Sequence, residues 1–395
     1  MRDPRVLIVT TEVPDAIVGG LGFFHDLMWT ELKRRNYPFR ACYLNKSAGP
    51  MSAVADYNLR WEASLPFDSG PEAKALNEAW SMRVKMQPIL DEFQPDVLSL
   101  HENWTALPFW NEMHKVQFTL HSSHIGMEHE LARTQVGLHN YWEQRFSVRN
   151  ARAVVLHSRW SRDMVTQHVA SDARAPFIFP IGLRAGDYPE KKIRHPEGKI
   201  VASFFGRFAD TAKNYPSFRK AIFDLPSHLR ERIEARVYGP NEIWDSMRNE
   251  GFKGLCFVQG EAKKRALAET DIVVMPSTRE SFGIVGLEAL LSNCKLIATP
   301  GLGMDQFLDP SSICAPDPDS IRLHLTNCIE NFNEIRSLQD SSAYRSRVAV
   351  PELSAGAMVD NYVDVWRRIA AADEQTAGQQ QALPLVSNVE LAMTG

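Results

Sequence analysis

The chain has 395 residues, 44% hydrophobic and 23% charged, with a formal net charge of -4 and a pI near 6.3. That exceeds the roughly 250–300 residues at which a single core stops growing, so two domains are expected. The charge excludes a general attraction to nucleic acid or anionic lipid, and no apolar stretch approaches the ~20 residues of a membrane span.

The five cysteines are scattered and form no C-x-x-C, which favours buried thiols in a reducing compartment over disulfides or zinc. The N-terminus runs into a short strand-like segment too brief for a signal peptide, so a cytoplasmic protein is expected.

Arg5–Thr11 reads as a buried parallel strand, a continuous β-branched run. A loop over Glu12–Gly20 leads to a helix from about Leu21 to Arg35, with Leu21, Phe24, Met28 and Leu32 at helical spacing. Phe39–Leu44 returns as a strand, giving a βαβ unit. The glycines of Val18-Gly-Gly-Leu-Gly22 would let backbone approach a phosphate at the helix N-terminus. The stretch is neither G-x-G-x-x-G nor a P-loop, and a plain loop-to-helix turn explains it as well. Residues 45–90 read as irregular. Three later strands end at histidines: 96–100 before His101, 118–120 before His121, and 153–156 before His157. Positions just past strand C-termini line the ligand crevice of open α/β sheets. His121-x-x-His124 with His129 beyond could suggest a metal, but no apolar helical face fixes the spacing, so no metal is expected.

Phe177–Pro180 closes the first half, and the Gly-, Pro- and charge-rich residues 184–199 mark a domain boundary. Ile200–Phe205 opens a second βαβ series and ends in Gly206-Arg207. Lys213-Asn214 follows, before a helix starting near Tyr215. Arg offers a planar fork and Lys a mobile point charge, a pair suited to clamping a diphosphate; the plain alternative is two solvated cations. Strands are expected at 235–238, 255–258, 272–275 and 296–298, and helices at 319–333 and about 354–371. A nucleotide base could lie at Gln259-Gly260. The last ~20 residues look disordered.

The most informative stretch is Pro276-Ser-Thr-Arg-Glu-Ser-Phe-Gly-Ile-Val-Gly-Leu-Glu288. It joins a strand to a helix, placing Glu280 beside free backbone N–H donors, with Glu288 inside the helix. Such a turn can hold a polar ligand by its hydroxyls and charge; an ordinary cap with two solvated acids is the plain reading.

Together, Gly19-Gly-Leu-Gly22, His121, Gly206-Arg207…Lys213 and Pro276-Ser277…Glu280-Ser-Phe-Gly283…Glu288-Ala289 resemble retaining glycosyltransferases of family 4, and more distantly the glycogen and starch synthases. The resemblance spans roughly residues 5–370. It implies an α/β protein of the GT-B fold, two Rossmann-like domains facing each other across a cleft. Residues 1–184 would bind the acceptor, with the helix of about 354–371 packing back on them; 185–353 would bind the nucleotide-sugar donor, and 373–395 would form a tail.

By resemblance, Arg207 and Lys213 would hold the donor diphosphate and Gly20 and Leu21 would approach it from the other domain. Glu280 and the backbone of Ser281, Phe282, Gly283 and Ile284 would hold the transferred sugar, Glu288 the ribose. His121 would contact the sugar, its carbonyl near the anomeric carbon, and His25, Trp104 and His124 would face the acceptor. No cofactor is implied beyond a UDP- or GDP-sugar co-substrate, and no metal, because Arg, Lys and helix dipoles neutralise the diphosphate. The resemblance implies a front-side displacement; the acceptor is expected to be a soluble small molecule because the first domain shows no basic amphipathic helix of the kind a lipid acceptor needs. Competing readings are a nucleotide-sugar epimerase or hydrolase, a polysaccharide- or glycolipid-building transferase, and a non-catalytic scaffold. The aromatics Trp61, Trp80, Trp104, Phe109 and Trp110 suit either an acceptor or a core. The sequence departs from the family at Asn293-Cys-Lys295, Ile181-Gly182 and Gly301-Leu-Gly303.

Overall fold

The computed structural model describes residues 2–15, 19–45, 51–61, 71–102, 105–121, 135–169, 175–240, 244–304 and 307–379. Two parallel sheets organise the chain. The first holds β1 (Val6–Thr10), β2 (Phe39–Asn45), β3 (Tyr57–Arg60), β4 (Val97–His101), β5 (Val116–Thr119), β6 (Ala153–Leu156) and β7 (Phe177–Ile178), in the order β3-β2-β1-β4-β5-β6-β7. The second holds β8 (Ile200–Phe205), β9 (Ile233–Tyr238), β10 (Lys253–Cys256), β11 (Ile272–Met275) and β12 (Lys295–Ala298), in the order β10-β9-β8-β11-β12.

The apolar runs explain the central strands. Every residue of β1, β4, β8, β11 and β12 is buried, as expected for strands covered by helices on both faces. Each sheet reverses its strand order once, between β1 and β4 and between β8 and β11. Side chains leaving the C-terminal ends of these four strands therefore sit at the two switch points, where open α/β sheets bind ligands.

The expectation that residues 45–90 are irregular is corrected: β3 pairs with β2, and a helix spans Pro71–Phe93. Ala79, Met82, Met86 and Ile89 form its buried face at helical spacing. Pro88 inside the helix and the Pro-rich approach to it masked that periodicity. The helix expected at 319–333 is two, Pro318–Glu330 and Phe332–Asp340.

The chain crosses between the halves twice, side by side. Leu183 and Ser354 form a parallel bridge, with Leu183 N–H donating to Leu353 O at 2.9 Å. Helix Ala355–Gln379 then packs on the first half: Tyr362 OH lies 3.1 Å from Thr119 Oγ1, Trp366 Nε1 donates to Gln117 Oε1, and Arg35 binds Asp360. The expectation of a disordered tail from 373 is corrected for 373–379, which continue this helix; the remaining tail residues lie outside the described residues. The five cysteines are free, four of them buried.

Candidate active site

A cavity of about 630 Å³ lies between the two halves. Gly19, Gly20, Leu21 and His121 line it from the first half; Arg207, Lys213, Glu280, Ser281, Phe282, Gly283, Ile284 and Glu288 line it from the second. The halves touch here. A Cβ on Gly20 would stand 3.2 Å from Ile284 Cδ1, Ser281 Oγ donates to the His121 carbonyl at 2.5 Å, and Ser161 Oγ donates to the Ser281 carbonyl at 3.2 Å.

The turns after β8 and β11 are clamped together before any ligand arrives. Thr278 N–H donates to Ala212 O at 2.8 Å, and Asn214 Nδ2 donates to Pro276 O at 3.1 Å. Asn214 is left-handed, at φ 53°, which turns the chain from Lys213 into helix Tyr215–Phe223. These bonds put Lys213 Nζ 2.5 Å from Glu280 Oε2. Arg207, more exposed, is held at 2.8 Å by Asp210 three residues on. Gly283 caps helix Ile284–Leu291 at φ 90°, a conformation side chains resist, and Glu280 and Met275 crowd its Cβ position.

Glu288 is 2% exposed. Its Oε2 pairs with Lys263 Nζ at 2.5 Å, and its Oε1 accepts from Tyr188 OH at 3.1 Å. Burial, and then the neighbouring Glu288 charge, push the Tyr188 hydroxyl well above its ordinary pKa. On the facing side, Glu12 Oε2 accepts from Gly19 N–H at 2.9 Å and Gly22 N–H at 3.0 Å. A side-chain carboxylate thus already sits on two of the amides at the start of helix Gly20–Arg34.

Sequence reasoning missed Glu12, Tyr188, Asp210 and Lys263. Asp210 carried a signal, an acid three residues from Arg207 on one turn. Lys263 and Tyr188 reach Glu288 only through tertiary folding and left none.

His121 sits at the cleft, but its ring nitrogens are engaged: Nε2 lies 2.8 Å from His101 Nδ1 and Nδ1 lies 3.0 Å from His157 Nε2. The three strand-end histidines thus form one row across adjacent strands. His25, expected at the acceptor, is wholly buried beside Thr10 and does not line the cavity. It falls on the core face of its helix next to Phe24. Trp104, His124 and His129 lie outside the described residues. Of the other aromatics, Phe109 is core, Trp61 donates to Glu78, and Trp80 is 60% exposed and stacks on Trp110. Among the described residues no group of three His, Cys, Asp or Glu is arranged to hold a metal ion, and no helix is long and apolar enough to cross a membrane.

Residues 189–334 match the family model described as Glycosyl transferases group 1. No curated protein matches the sequence. Among solved structures, sucrose-phosphate synthase from Thermosynechococcus elongatus superposes at TM-score 0.76 with 14% identity, covering 93% of this chain and 100% of that one. Anabaena Alr3699/HepE in complex with UDP and glucose gives 0.67 and 14%, covering 92% and 100%. WaaG, a glycosyltransferase involved in lipopolysaccharide biosynthesis, gives 0.66 and 14%, covering 91% and 99%. The chain has the GT-B fold with a glycosyl transferases group 1 domain in its second half, and it is a transferase enzyme.

Proposed function

We propose that the protein moves a sugar from a nucleotide-diphosphate sugar to a hydroxyl, or another nucleophile, of a soluble small acceptor in the cytoplasm, as a retaining enzyme of family 4. The observation that carries this reading is the convergence of Arg207, Lys213, Glu280 and Glu288 on one cavity at the switch points of both sheets.

Arg207 and Lys213 meet the charge that develops on the departing diphosphate, where preorganised electrostatics contribute most. Glu280 and the Ser281–Ile284 backbone take the transferred sugar's hydroxyls, and Glu288, fixed by Lys263 and Tyr188, takes the ribose. The His121 carbonyl, which Ser281 Oγ now occupies, becomes available to the sugar when Ser281 turns to the ligand.

A front-side displacement fits the lining carboxylates. Of the five carboxylates that line the cavity, Glu12, Asp210, Glu280 and Glu288 are each tied to amides or cations, which leaves them poor nucleophiles; the fifth, Glu102, is buried next to His101. The acceptor oxygen attacks the anomeric carbon on the face the diphosphate leaves, and a phosphate oxygen takes the acceptor's proton. The two cations supply the neutralisation that a divalent metal provides elsewhere. A UDP- or GDP-sugar is the proposed donor; the similar Anabaena structure holds UDP and glucose.

The test is thermal-shift screening against UDP, GDP, ADP and TDP, followed by a transfer assay with and without EDTA. The matching nucleotide raises stability by about 2.7 kcal/mol at a hundredfold excess over Kd, and EDTA leaves transfer unchanged. No stabilisation by any of the four overturns the donor assignment, and activity lost to EDTA and restored by manganese overturns the metal-free clamp.

A further inference from the structure

The histidine row can be counted proton by proton. At one end His157 Nδ1 lies 3.0 Å from the Phe179 carbonyl oxygen, which can only accept. At the other end His101 Nε2 lies 3.1 Å from Ser99 Oγ. The Ser99 hydroxyl donates to Gln117 Oε1 at 2.6 Å, so its single proton is committed. The orientation of Gln117 is itself fixed. Trp366 Nε1, which can only donate, lies 3.3 Å from Oε1, while Nε2 donates to Thr119 Oγ1 at 2.7 Å.

Acceptors therefore close both ends of the row. Four links join Phe179 O, the three rings and Ser99 Oγ, and each needs one N–H. Three neutral imidazoles carry three. One link lacks a proton whenever the row is neutral.

The surroundings keep the row neutral while the cleft is empty. Phe24 packs against all three rings, and His25 lies edge-on to His101 with ring centroids 4.7 Å apart. The other titratable groups around the row are Tyr362, stacked near His101, the neighbouring Glu102, and Glu12, whose carboxylate is turned to Gly19 and Gly22. Burial lowers the affinity of His101, His121 and His157 for a further proton. His121 alone of the three lines the cavity that Arg207 and Lys213 also line.

We propose that the His101–His121–His157 row is a proton-binding site coupled to the donor: it takes up the fourth proton, shared as one imidazolium, when an anionic diphosphate enters the cleft. The step is a protonation from solvent. No bond other than the new N–H forms, and the charge gained on the row is balanced by the diphosphate. Filling the open link tightens the rings around His121, whose carbonyl faces the second domain through Ser281, so donor charge and the geometry of the His121 segment become linked. This rests on the donor reading above, and it makes His101 and His157 positioning residues for His121.

Isothermal titration of the intact protein with UDP, or with GDP, ADP or TDP if UDP gives no heat, is run at about pH 6.5 in two buffers of different ionisation enthalpy. The difference between buffers gives the protons taken up. The comparison is Ser99→Ala, which removes one terminal acceptor and lets three neutral rings satisfy three links; subtracting it cancels the nucleotide's own ionisation. Wild type takes up about one proton more than Ser99→Ala per bound nucleotide. Trp366→Phe, which frees Gln117 to flip and Ser99 to donate to His101, loses the same proton if it folds. Equal proton counts in wild type and Ser99→Ala, with the nucleotide bound to both, overturn the coupling and leave the donor reading standing. Absence of binding by all four nucleotides overturns both.

Discussion

Lys213 Nζ lies 2.5 Å from Glu280 Oε2, joining two turns 67 residues apart that leave neighbouring strands β8 and β11. Their side chains are 25% and 18% exposed, so the pair is shielded without being sealed. The ion pair holds both side chains at the cleft; on the proposed reading a phosphate competes for the lysine and a sugar hydroxyl meets the carboxylate. Glu280→Ala is expected to abolish measurable transfer, with a loss on the order of a hundredfold or more. Because the pair is partly solvated, the melting temperature should move little. Nucleotide release from a donor sugar and acceptor, measured beside circular dichroism, checks both; near wild-type turnover would sink the assignment.

Glu288 makes a different case because it is buried. Removing Lys263 leaves its carboxylate without a cation in a poorly solvated place, and Lys263→Met should destabilise the protein by about 3 kcal/mol, the lower end for a buried pair because Lys263 itself is partly exposed. Tyr188→Phe removes one hydrogen bond to the same carboxylate and should cost about 1 kcal/mol. Both should raise KM for the donor more than they lower kcat, since the ribose does not take part in bond making. Urea denaturation gives the stabilities and steady-state kinetics the split. A fall in kcat alone would place Glu288 with the reacting centre instead.

The contrast between these two glutamates shows how far the sequence could be read. Both were visible eight residues apart on one turn and helix, because strand C-termini and helix N-termini are local features that leave apolar runs and glycines in the chain. The repeating βαβ units were legible for the same reason, since each repeats a strand, a turn and a helix. What Glu288 touches was not visible: Tyr188 lies in the linker between the sheets and Lys263 on another helix, and only folding brings the three together. The helix Pro71–Phe93 was lost for a local reason, the proline inside it. His25 was misplaced because a histidine on an apolar helix face reads alike whether it meets a ligand or, as here, packs against His101 and Trp29.

The buried histidines set the response to acid. His25 and His157 are lowered from 6.5 to about 3 and about 4 by burial, and His101 and His121 are lowered as well. In the empty folded protein these rings stay neutral, whereas the unfolded chain binds protons once pH drops below 6.5. Stability is therefore fully present above that value and is lost as pH falls towards about 4, by up to ~1.4 kcal/mol per unit for each ring. His25→Phe should flatten the decline, sparing about 2 kcal/mol at pH near 5. Urea midpoints between about pH 7.5 and 5 give the slope; a flat wild-type profile would contradict neutral buried rings.

Gly303 tests whether the two halves must meet as closely as they do. A Cβ there would run into the Ser281 carbonyl oxygen, the Phe282 Cα and the Ser158 Cβ. The first two are backbone of the donor turn and cannot yield as a flexible side chain would. Ser158 belongs to the other half, where its hydroxyl caps helix Arg159–His168 by accepting from Ser161 N–H. Ser161 in turn donates to the Ser281 carbonyl, so an added methyl would press on both sides of one interdomain contact. Overpacking of this kind costs roughly 1–3 kcal/mol where nothing can shift; separation of the halves at their paired crossings, Leu183 and Ser354, relieves the Ser158 contact but not the two within the second half. Gly303→Ala should therefore both lower the melting temperature and open the cleft, the latter read as a larger radius of gyration in solution scattering and a raised donor KM. Gly251→Ala, at φ 90° and facing open space, should lower stability through its backbone without widening the molecule. Equal scattering profiles for wild type and Gly303→Ala, with donor KM unchanged, would show that the contact is not needed for the cleft.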